Sequence, residues 1–275
     1  MVFFSKSKNF FFQKYNFIFI LIFFIGNFLA LIKPIKSDLL KPINLPNLKK
    51  KTNNKKHKAL IATINWVKVN SEESKEKIIH WDKLNYQEYK EFILIDPLDG
   101  TKEFIKKNGE FTVNIALIQN KIPMVGIVQL PTSNIQYFSN GKESFKVSKN
   151  KKTKLVIKKT KNFTIACSKS HFDEQTSRFL NLLGDKYRII RKGSSLKFCL
   201  IAESKASIYI RFGRTMEWDI AAGHAILRTS GGYVRNLNYN SNEIKYGKKN
   251  LQNSSFLAHG KIDNLEKLII LAKQI

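Results

Sequence analysis

The chain has 275 residues, 43% of them hydrophobic, which is enough for one sizeable core or two small ones. Its 48 basic and 21 acidic residues give a formal net charge of +27, which favours an anionic partner. There is no zinc pattern, arginine–glycine tract or basic recognition helix, which argues against a nucleic acid polymer. The two cysteines, Cys167 and Cys199, form no CxxC motif and indicate buried reduced thiols in a cytoplasmic protein.

Residues 1–58 form an atypical N-terminal segment. They contain twelve Lys and a single acidic residue, Asp38. An apolar run at 17–32 follows three lysines but is short for a membrane span. Two interpretations stay open: a membrane anchor or signal, and translation of AT-rich DNA in a shifted frame. The expected location is therefore cytoplasmic, either free or held at the cytoplasmic face of the inner membrane.

Residues 59–150 are predicted to form an N-terminal α+β subdomain that carries the metal site. An apolar strand at 92–95 leads into the sequence DPLDGT, and a short helical turn follows it. Three further strands are expected downstream, at 112–118, 124–130 and 135–138. Residues 91–150 therefore predict an antiparallel meander.

Residues 151–275 are predicted to form a C-terminal α/β subdomain, with the basic, polar stretch at 149–154 as the candidate boundary. Strands are expected at 163–167, 187–190, 206–212, 233–237 and 256–259. Helices are expected at 173–183, 195–204, 219–230 and 265–273. This alternation indicates an α/β layer, so the fold class of the whole chain is α+β or α/β.

Acidic residues occur where apolar elements end: Glu72 with Glu73, Asp96 with Asp99, and Asp219. Asp96 and Asp99 stand three residues apart across a turn that contains Pro97, so both carboxylates can face one pocket. Hard carboxylate oxygens suit Mg²⁺, and nearby free backbone N–H groups suit a phosphate. Each acid alone would fit a helix cap or a surface turn. Together, in a very basic chain, they predict a site for two or three metal ions.

Four segments, in this order, resemble motifs of the inositol monophosphatase superfamily: DPLDGTKEF (96–104), GEFTVNIALI (109–118), GSSLKFC (193–199) and MEWDIAAGHAI (216–226). They are most similar to its CysQ-type 3'(2'),5'-bisphosphate nucleotidases, over residues 68–260. The resemblance implies a layered αβαβα sandwich, Mg²⁺ dependence and inhibition by Li⁺. It also implies hydrolysis of the 3'-phosphate of adenosine 3',5'-bisphosphate, a small anionic nucleotide, to AMP. The alternatives are an inositol or sugar phosphatase of the same fold and an inactive, membrane-tethered remnant.

The same resemblance assigns roles to individual residues. The implied metal ligands are Glu72, Asp96, the carbonyl of Leu98, Asp99 and Asp219. The implied catalytic residues are Glu72, Asp99 and Thr101, of which Glu72 and Thr101 would orient the attacking water. The implied substrate contacts are Glu72, Leu98, Asp99, Gly100, Thr101, Ser168, His171, Ser194, Ser195, Lys197 and Asp219. Glu217 falls where inositol phosphatases contact a substrate hydroxyl.

Some of these residues have simpler interpretations. Without the motif, His171 would be a surface histidine at a helix entry, and Lys197 one more solvated lysine. Trp218 is expected to pack in the core.

The sequence also departs from the family pattern. The family's two N-terminal helices and its V/L-T-x-A-D loop have no match in residues 1–67, where Asp38 lies in an unrelated context. The N-terminal helices are therefore expected to be atypical or missing. Arg214 replaces the Pro that usually follows R-F-G, with no assigned consequence.

Overall fold

The strand that ends in the DPLD sequence belongs to a seven-stranded sheet, which we call the first sheet. The computed structural model describes residues 61–63, 90–170, 172–238 and 242–275. The strands of the first sheet lie in chain order: β1 (Ile61–Thr63), β2 (Glu91–Asp99), β3 (Thr112–Gln119), β4 (Ile122–Leu130), β5 (Ile135–Ser139), β6 (Ser144–Ser148) and β7 (Lys151–Leu155). β1 pairs with β2 in parallel, and every later pair is antiparallel. The predicted meander is confirmed.

The connection between β3 and β4 shows why the chain reverses where it does. Asn120 and Lys121 both have positive φ angles, of 49° and 64°. Two central residues in this region are typical of a type I′ turn, whose twist matches that of the paired strands. The turn thus fixes the register of the two strands that carry much of the apolar core of the first sheet.

The second sheet has five strands: β8 (Thr164–Ser168), β9 (Arg188–Lys192), β10 (Ile208–Arg211), β12 (Tyr233–Asn236) and β14 (Phe256–His259). Their order across the sheet is β12, β14, β10, β8, β9. β8 runs parallel to β9 and β10, whereas β14 is antiparallel to β10 and β12. A separate two-stranded sheet pairs β11 (Thr215–Met216) with β13 (Gln252–Asn253).

Helices cover both faces of the second sheet. The helices are α1 (Thr101–Ile105), α2 (Glu174–Leu183), α3 (Leu196–Ala202), α4 (Glu217–Thr229) and α5 (Leu265–Lys273). α3 and α4 lie between the two sheets, in one core cluster with residues of β2 to β5, β8 and β10. α2 and α5 pack on the opposite face of the second sheet, in a second core cluster. The described layers therefore run sheet, helices, sheet, helices, which are four consecutive layers of the expected αβαβα sandwich.

Gly126 allows α4 to lie close to the first sheet. A Cβ atom at Gly126 would stand 2.5 Å from the carbonyl oxygen of Ala222 and 2.9 Å from the Cβ of Ala225. Both alanines belong to α4, so the absence of a side chain on β4 sets the distance between helix and sheet. The position of α4 matters because this helix carries Asp219.

The basic, polar stretch at 149–154, the candidate boundary, contains most of strand β7. β7 pairs with β6 along its whole length and forms the outer edge of the first sheet. Four of its five residues are exposed, among them Lys151, Lys152 and Lys154. The basic composition of this stretch thus belongs to an exposed strand at the edge of the sheet. The division into subdomains 59–150 and 151–275 stays a prediction, although a hairpin crosses it.

Three expectations about the N-terminal part fall outside the described residues: the anchor at 17–32, the frame artefact, and the atypical or missing helices. Among the residues that the structure describes, no helix combines the length and the apolar character needed to cross a membrane.

Candidate active site

Asp96 and Asp99 line one cavity because the end of β2 is irregular. The pairing of β2 with β3 shifts register between these two residues. The backbone N–H of Leu98 donates a hydrogen bond to Asp96 Oδ1 at 3.1 Å, which fixes the turn. Gly100 follows with φ of 87°, a left-handed conformation that favours glycine, and α1 begins at Thr101.

The cavity beside this turn has a volume of about 470 Å³. Asp219 joins Asp96 and Asp99 on its wall, and four cations line it as well: Lys102, Lys197, Arg211 and Arg214. The cavity is also lined by six residues without a carboxylate that are predicted to contact the substrate: Leu98, Gly100, Thr101, Ser168, Ser194 and Lys197. Acids and cations from distant parts of the chain therefore share one cavity. Glu72 and His171 lie outside the described residues.

Asp99 is held through one of its two carboxylate oxygens. Its Oδ2 accepts hydrogen bonds from the backbone N–H of Ser195 at 2.7 Å, from Asn114 Nδ2 at 3.0 Å and from Thr112 Oγ1 at 3.3 Å. Among the described residues, no donor is bonded to Oδ1. The carboxylate is thus fixed in rotation while one oxygen is left for a ligand.

Asp219 is positioned by the start of α4. The helix begins at Glu217, two residues earlier than predicted, with Met216 as its N-cap. The carboxylate of Asp219 reaches back to accept a hydrogen bond from the backbone N–H of Met216 at 2.7 Å. This contact is half of a capping box, and it explains why the helix includes residues before Asp219.

The aspartates carry a surplus of negative charge. Burial, and then the charges of Asp99 and Asp219, raise the pKa of Asp96 well above its ordinary value. Burial, and then the charge of Asp99, raise the pKa of Asp219 to about 7. A hard dication would relieve this repulsion, and carboxylate oxygens are its preferred donors.

The described residues supply only part of a metal site. Within them, no group of three His, Cys, Asp or Glu side chains is arranged so that it could hold a metal ion. The donor chemistry of Asp96, Asp99 and Asp219 fits a divalent cation that keeps some of its waters or takes further ligands. The resemblance assigns such ligands to the Leu98 carbonyl and to Glu72.

Lys197 is not a solvated surface lysine, so that simpler interpretation is wrong. The residue is only 4% exposed, and its Nζ donates hydrogen bonds to the carbonyl oxygens of Ser194 at 2.6 Å and Lys192 at 3.4 Å. Burial lowers the pKa of Lys197 to about 8, although the negative charge of Asp99 acts in the opposite direction. A buried cation in the cavity wall is suited to an anionic ligand.

The turn between β9 and α3 separates the roles of two neighbouring serines. Ser194 lines the cavity and has φ of 47°, which is uncommon for a residue with a side chain. Ser195 is only 1% exposed, and its side chain bonds to Asn114 and to the backbone of Asp219. The structure therefore favours a positioning role for Ser195 over the substrate contact that the resemblance implied.

Sequence reasoning missed Glu110, Asn114 and Glu103. The Glu110 carboxylate accepts hydrogen bonds from Lys192 Nζ at 2.8 Å and from the backbone N–H of Gly193 at 3.2 Å. Glu103 is buried in the cavity wall and accepts a hydrogen bond from the Ser170 hydroxyl. The signal for Asn114 was a polar residue inside the apolar strand TVNIALI. Glu103 and Glu110 lie within the segments 96–104 and 109–118 that resemble the family, but no feature of the sequence marked either of them as a site residue.

Glu217 and Trp218 open α4. Glu217 is fully buried, and its carboxylate accepts hydrogen bonds from the backbone N–H groups of Gly247 and Lys248 at 2.8 and 3.0 Å. Glu217 therefore holds the loop at Gly247 and Lys248, and it does not line the cavity. The structure does not support a contact between Glu217 and a substrate hydroxyl. Trp218 packs against the core, as expected, and also lines the cavity.

Comparison with known proteins decides the family. The model of the inositol monophosphatase family matches residues 45–274. The chain belongs to this family. It is 44% identical over 141 residues to the 3'(2'),5'-bisphosphate nucleotidase CysQ of Salmonella typhimurium and to that of Escherichia coli K12. These matches cover 51% of this chain and 57% of each relative, so the chain spans little more than half the length of the relatives.

Solved structures support the same fold. The sequence of CysQ from Bacteroides thetaiotaomicron is 37% identical to that of this chain, and its crystal structure matches with a TM-score of 0.60. The match covers 66% of this chain and 75% of the CysQ chain. The inositol monophosphatase of Thermotoga maritima has a TM-score of 0.57 over 68% and 70% of the two chains. At 19% identity, the second likeness concerns the fold alone. The predicted layered fold is confirmed.

Proposed function

We propose that this family member is a Mg²⁺-dependent phosphatase that converts adenosine 3',5'-bisphosphate to AMP and phosphate. The observation that carries the proposal is the composition of the cavity wall, where three aspartates and four cations occur together. A substrate with two phosphates needs both: carboxylates that hold a metal at the reacting phosphate, and cations for the second one. The similarity to CysQ nucleotidases supports the same assignment.

The metal ligands are proposed to be Asp96, Asp99 and Asp219, with the Leu98 carbonyl and Glu72. When bound, the divalent cation lowers the pKa of a water and offsets negative charge on the phosphate oxygens. Two or three ions are proposed, as the family resemblance implies, together with inhibition by Li⁺.

The remaining residues bind and orient the substrate. Thr101, with Glu72, is proposed to align the water for in-line attack, and the backbone N–H groups of Gly100 and Thr101 to hold the reacting phosphate. Ser194 and Lys197 are proposed to contact the second phosphate and the ribose. Ser168 and His171 are proposed to lie on the nucleoside side.

The decisive experiment measures phosphate release from adenosine 3',5'-bisphosphate by the full chain, with Mg²⁺, without it, and with added Li⁺. We expect Mg²⁺-dependent, Li⁺-sensitive turnover that Asp219→Asn abolishes. Asp263→Asn is the matched control, because Asp263 is an exposed acid that pairs with Lys159 away from the cavity. No turnover by a folded protein would contradict the proposal and favour an inactive remnant.

Substrate choice needs its own measurement. We expect kcat/KM for adenosine 3',5'-bisphosphate to exceed that for inositol 1-phosphate and for a sugar monophosphate by about 100-fold or more, because a substrate with one phosphate leaves the buried cation in the cavity wall without its anion. A preference for inositol 1-phosphate or the sugar would assign the chain to another activity of the same fold.

A cytoplasmic location is proposed from the cysteines. Cys167 and Cys199 are both buried free thiols, which suits a reducing compartment. Association with the inner membrane would depend on residues 17–32. Cell fractionation of the full chain, followed by a salt wash, distinguishes a free protein from a peripheral one and from an anchored one.

A further inference from the structure

Ser195 joins the two sequence-distant aspartates of the candidate metal site. Its backbone N–H donates to Asp99 Oδ2 at 2.7 Å, and its hydroxyl donates to the carbonyl oxygen of Asp219 at 2.8 Å. Asp99 ends a strand of the first sheet, whereas Asp219 lies in the first turn of α4. One residue therefore contacts both elements.

Asn114 completes the connection from the first sheet. Its side-chain amide group donates to Asp99 Oδ2 at 3.0 Å and to the Ser195 hydroxyl at 2.9 Å. The Ser195 hydroxyl thus accepts from Asn114 and donates to Asp219, which uses its single proton in a defined direction. We call Asn114 and Ser195, with these hydrogen bonds, the aspartate bridge.

Burial limits what the bridge can do. Asn114 and Ser195 are each 1% exposed, and neither lines the cavity, whereas the neighbouring Ser194 does. A water molecule has no ready access to replace a lost hydrogen bond here. Hydrogen bonds to a carboxylate are strong and directional, so the bonds from Ser195 and Asn114 fix the rotation of Asp99. The bond from the Ser195 hydroxyl fixes the position of the α4 backbone at Asp219.

We propose that Asn114 and Ser195 are positioning residues that set the spacing of Asp99 and Asp219 for metal binding, a role that rests on the proposed metal-dependent function. Ser195 acts on the metal site through the aspartates and makes no contact with the nucleotide. Groups that orient metal ligands in this way commonly change metal affinity by 10- to 100-fold when they are removed.

The test compares Ser195→Ala with Ser194→Ala, two neighbouring variants that each lose one hydroxyl group. The affinity for Mn²⁺ alone is measured by electron paramagnetic resonance, and kcat and KM for adenosine 3',5'-bisphosphate are measured separately. We expect Ser195→Ala to raise the Mn²⁺ Kd by about 10-fold or more with the nucleotide KM within about twofold of wild type. Ser194→Ala should leave the Mn²⁺ Kd unchanged.

An unchanged Mn²⁺ Kd in Ser195→Ala, or a rise confined to the nucleotide KM, would overturn the inference. Asn114→Leu provides a second variant, with a side chain of similar volume. The double variant should raise the Mn²⁺ Kd by less than the product of the two single effects, because both substitutions break the same bridge. Full additivity would count against a shared role.

A structural measurement separates this inference from the proposed function. If the wild-type protein binds no Mn²⁺ and releases no phosphate, the proposed function fails, and crystal structures of the metal-free wild type and Ser195→Ala decide the bridge. We expect the Asp99 carboxylate or the Asp219 carbonyl to move by about 0.5 Å or more, enough to impair a preorganised site. Superposable aspartates would overturn the inference.

Discussion

The ammonium group of Lys197 lies 2.6 Å from the carbonyl oxygen of Ser194, and the lysine is only 4% exposed. Burial lowers the pKa of this lysine to about 8 from an ordinary value of 10.5. The charge that would attract a phosphate is therefore lost at moderately alkaline pH. We expect kcat/KM for adenosine 3',5'-bisphosphate to fall above about pH 8, and Lys197→Arg, which stays charged, to remove this fall. The same fall in the Arg variant would contradict the assignment.

The depressed pKa of Lys197 also predicts how stability depends on pH. Between about pH 8 and 10.5 the unfolded chain binds this proton more tightly than the folded one, so the contribution of Lys197 to stability rises with pH. We expect the free energy of unfolding of wild type, minus that of Lys197→Met, to increase by up to about 3 kcal/mol across this range. Urea titrations at several pH values measure this difference, and a difference that does not change with pH would show that the pKa of Lys197 is not lowered in the folded protein.

Glu110 holds the turn that carries Ser194 and Ser195. Burial alone would raise its pKa, but the hydrogen bonds from Lys192 and Gly193 outweigh burial and lower it. We expect Glu110→Ala to raise the KM for the nucleotide about 10-fold and to lower the free energy of unfolding by about 1–2 kcal/mol. Glu143→Ala is the matched control, because Glu143 is an exposed acid paired with Lys154 on the first sheet. Equal KM values in both variants would exclude the role.

Gly126 sets the distance between α4 and the first sheet, so Gly126→Ala is expected to displace the helix. Because the added Cβ meets backbone and side-chain atoms of α4, we expect a loss of about 1–3 kcal/mol in the free energy of unfolding and a lower kcat. Gly184→Ala meets open space but strains a backbone with φ of 74° and ψ of −158°, a region essentially restricted to glycine, which costs about 1–3 kcal/mol. The control should keep full activity, and wild-type kcat in Gly126→Ala would contradict the prediction.

Metal removal is expected to expose the repulsion among the aspartates. The pKa of Asp219 is raised to about 7, so its contribution to the stability of the metal-free fold is full below about pH 4 and is lost as the pH rises through 7. In EDTA, the free energy of unfolding of wild type, minus that of Asp219→Asn, should therefore fall between pH 5 and 8. Added Mg²⁺ should raise the Tm of wild type more at pH 8 than at pH 5. The opposite trend would show that Asp219 is already neutralised within the protein.

Much of the fold followed from local sequence. The alternating strands, the turn at Asn120 and Lys121, and the acids beside Pro97 all depend on near neighbours, and the structure places them as predicted. The contacts of Ser195 and Glu110 could not be predicted from local sequence, because they join residues that are far apart in the chain. Ser195 meets Asp99 across 96 positions, and Gly193 meets Glu110 across 83. No local pattern distinguishes such a serine from one that faces the substrate.

Part of the positive charge of the chain lies on the outer strand β7, where it has a consequence unrelated to catalysis. An unpaired strand edge offers its backbone N–H and C=O groups to any other extended chain, and edges of this kind promote sheet-to-sheet association. Lys151 and Lys152 on β7 oppose such contacts, because two copies that approached edge to edge would bring like charges together. Exposed lysines at this position thus disfavour edge-to-edge pairing of first sheets from two copies.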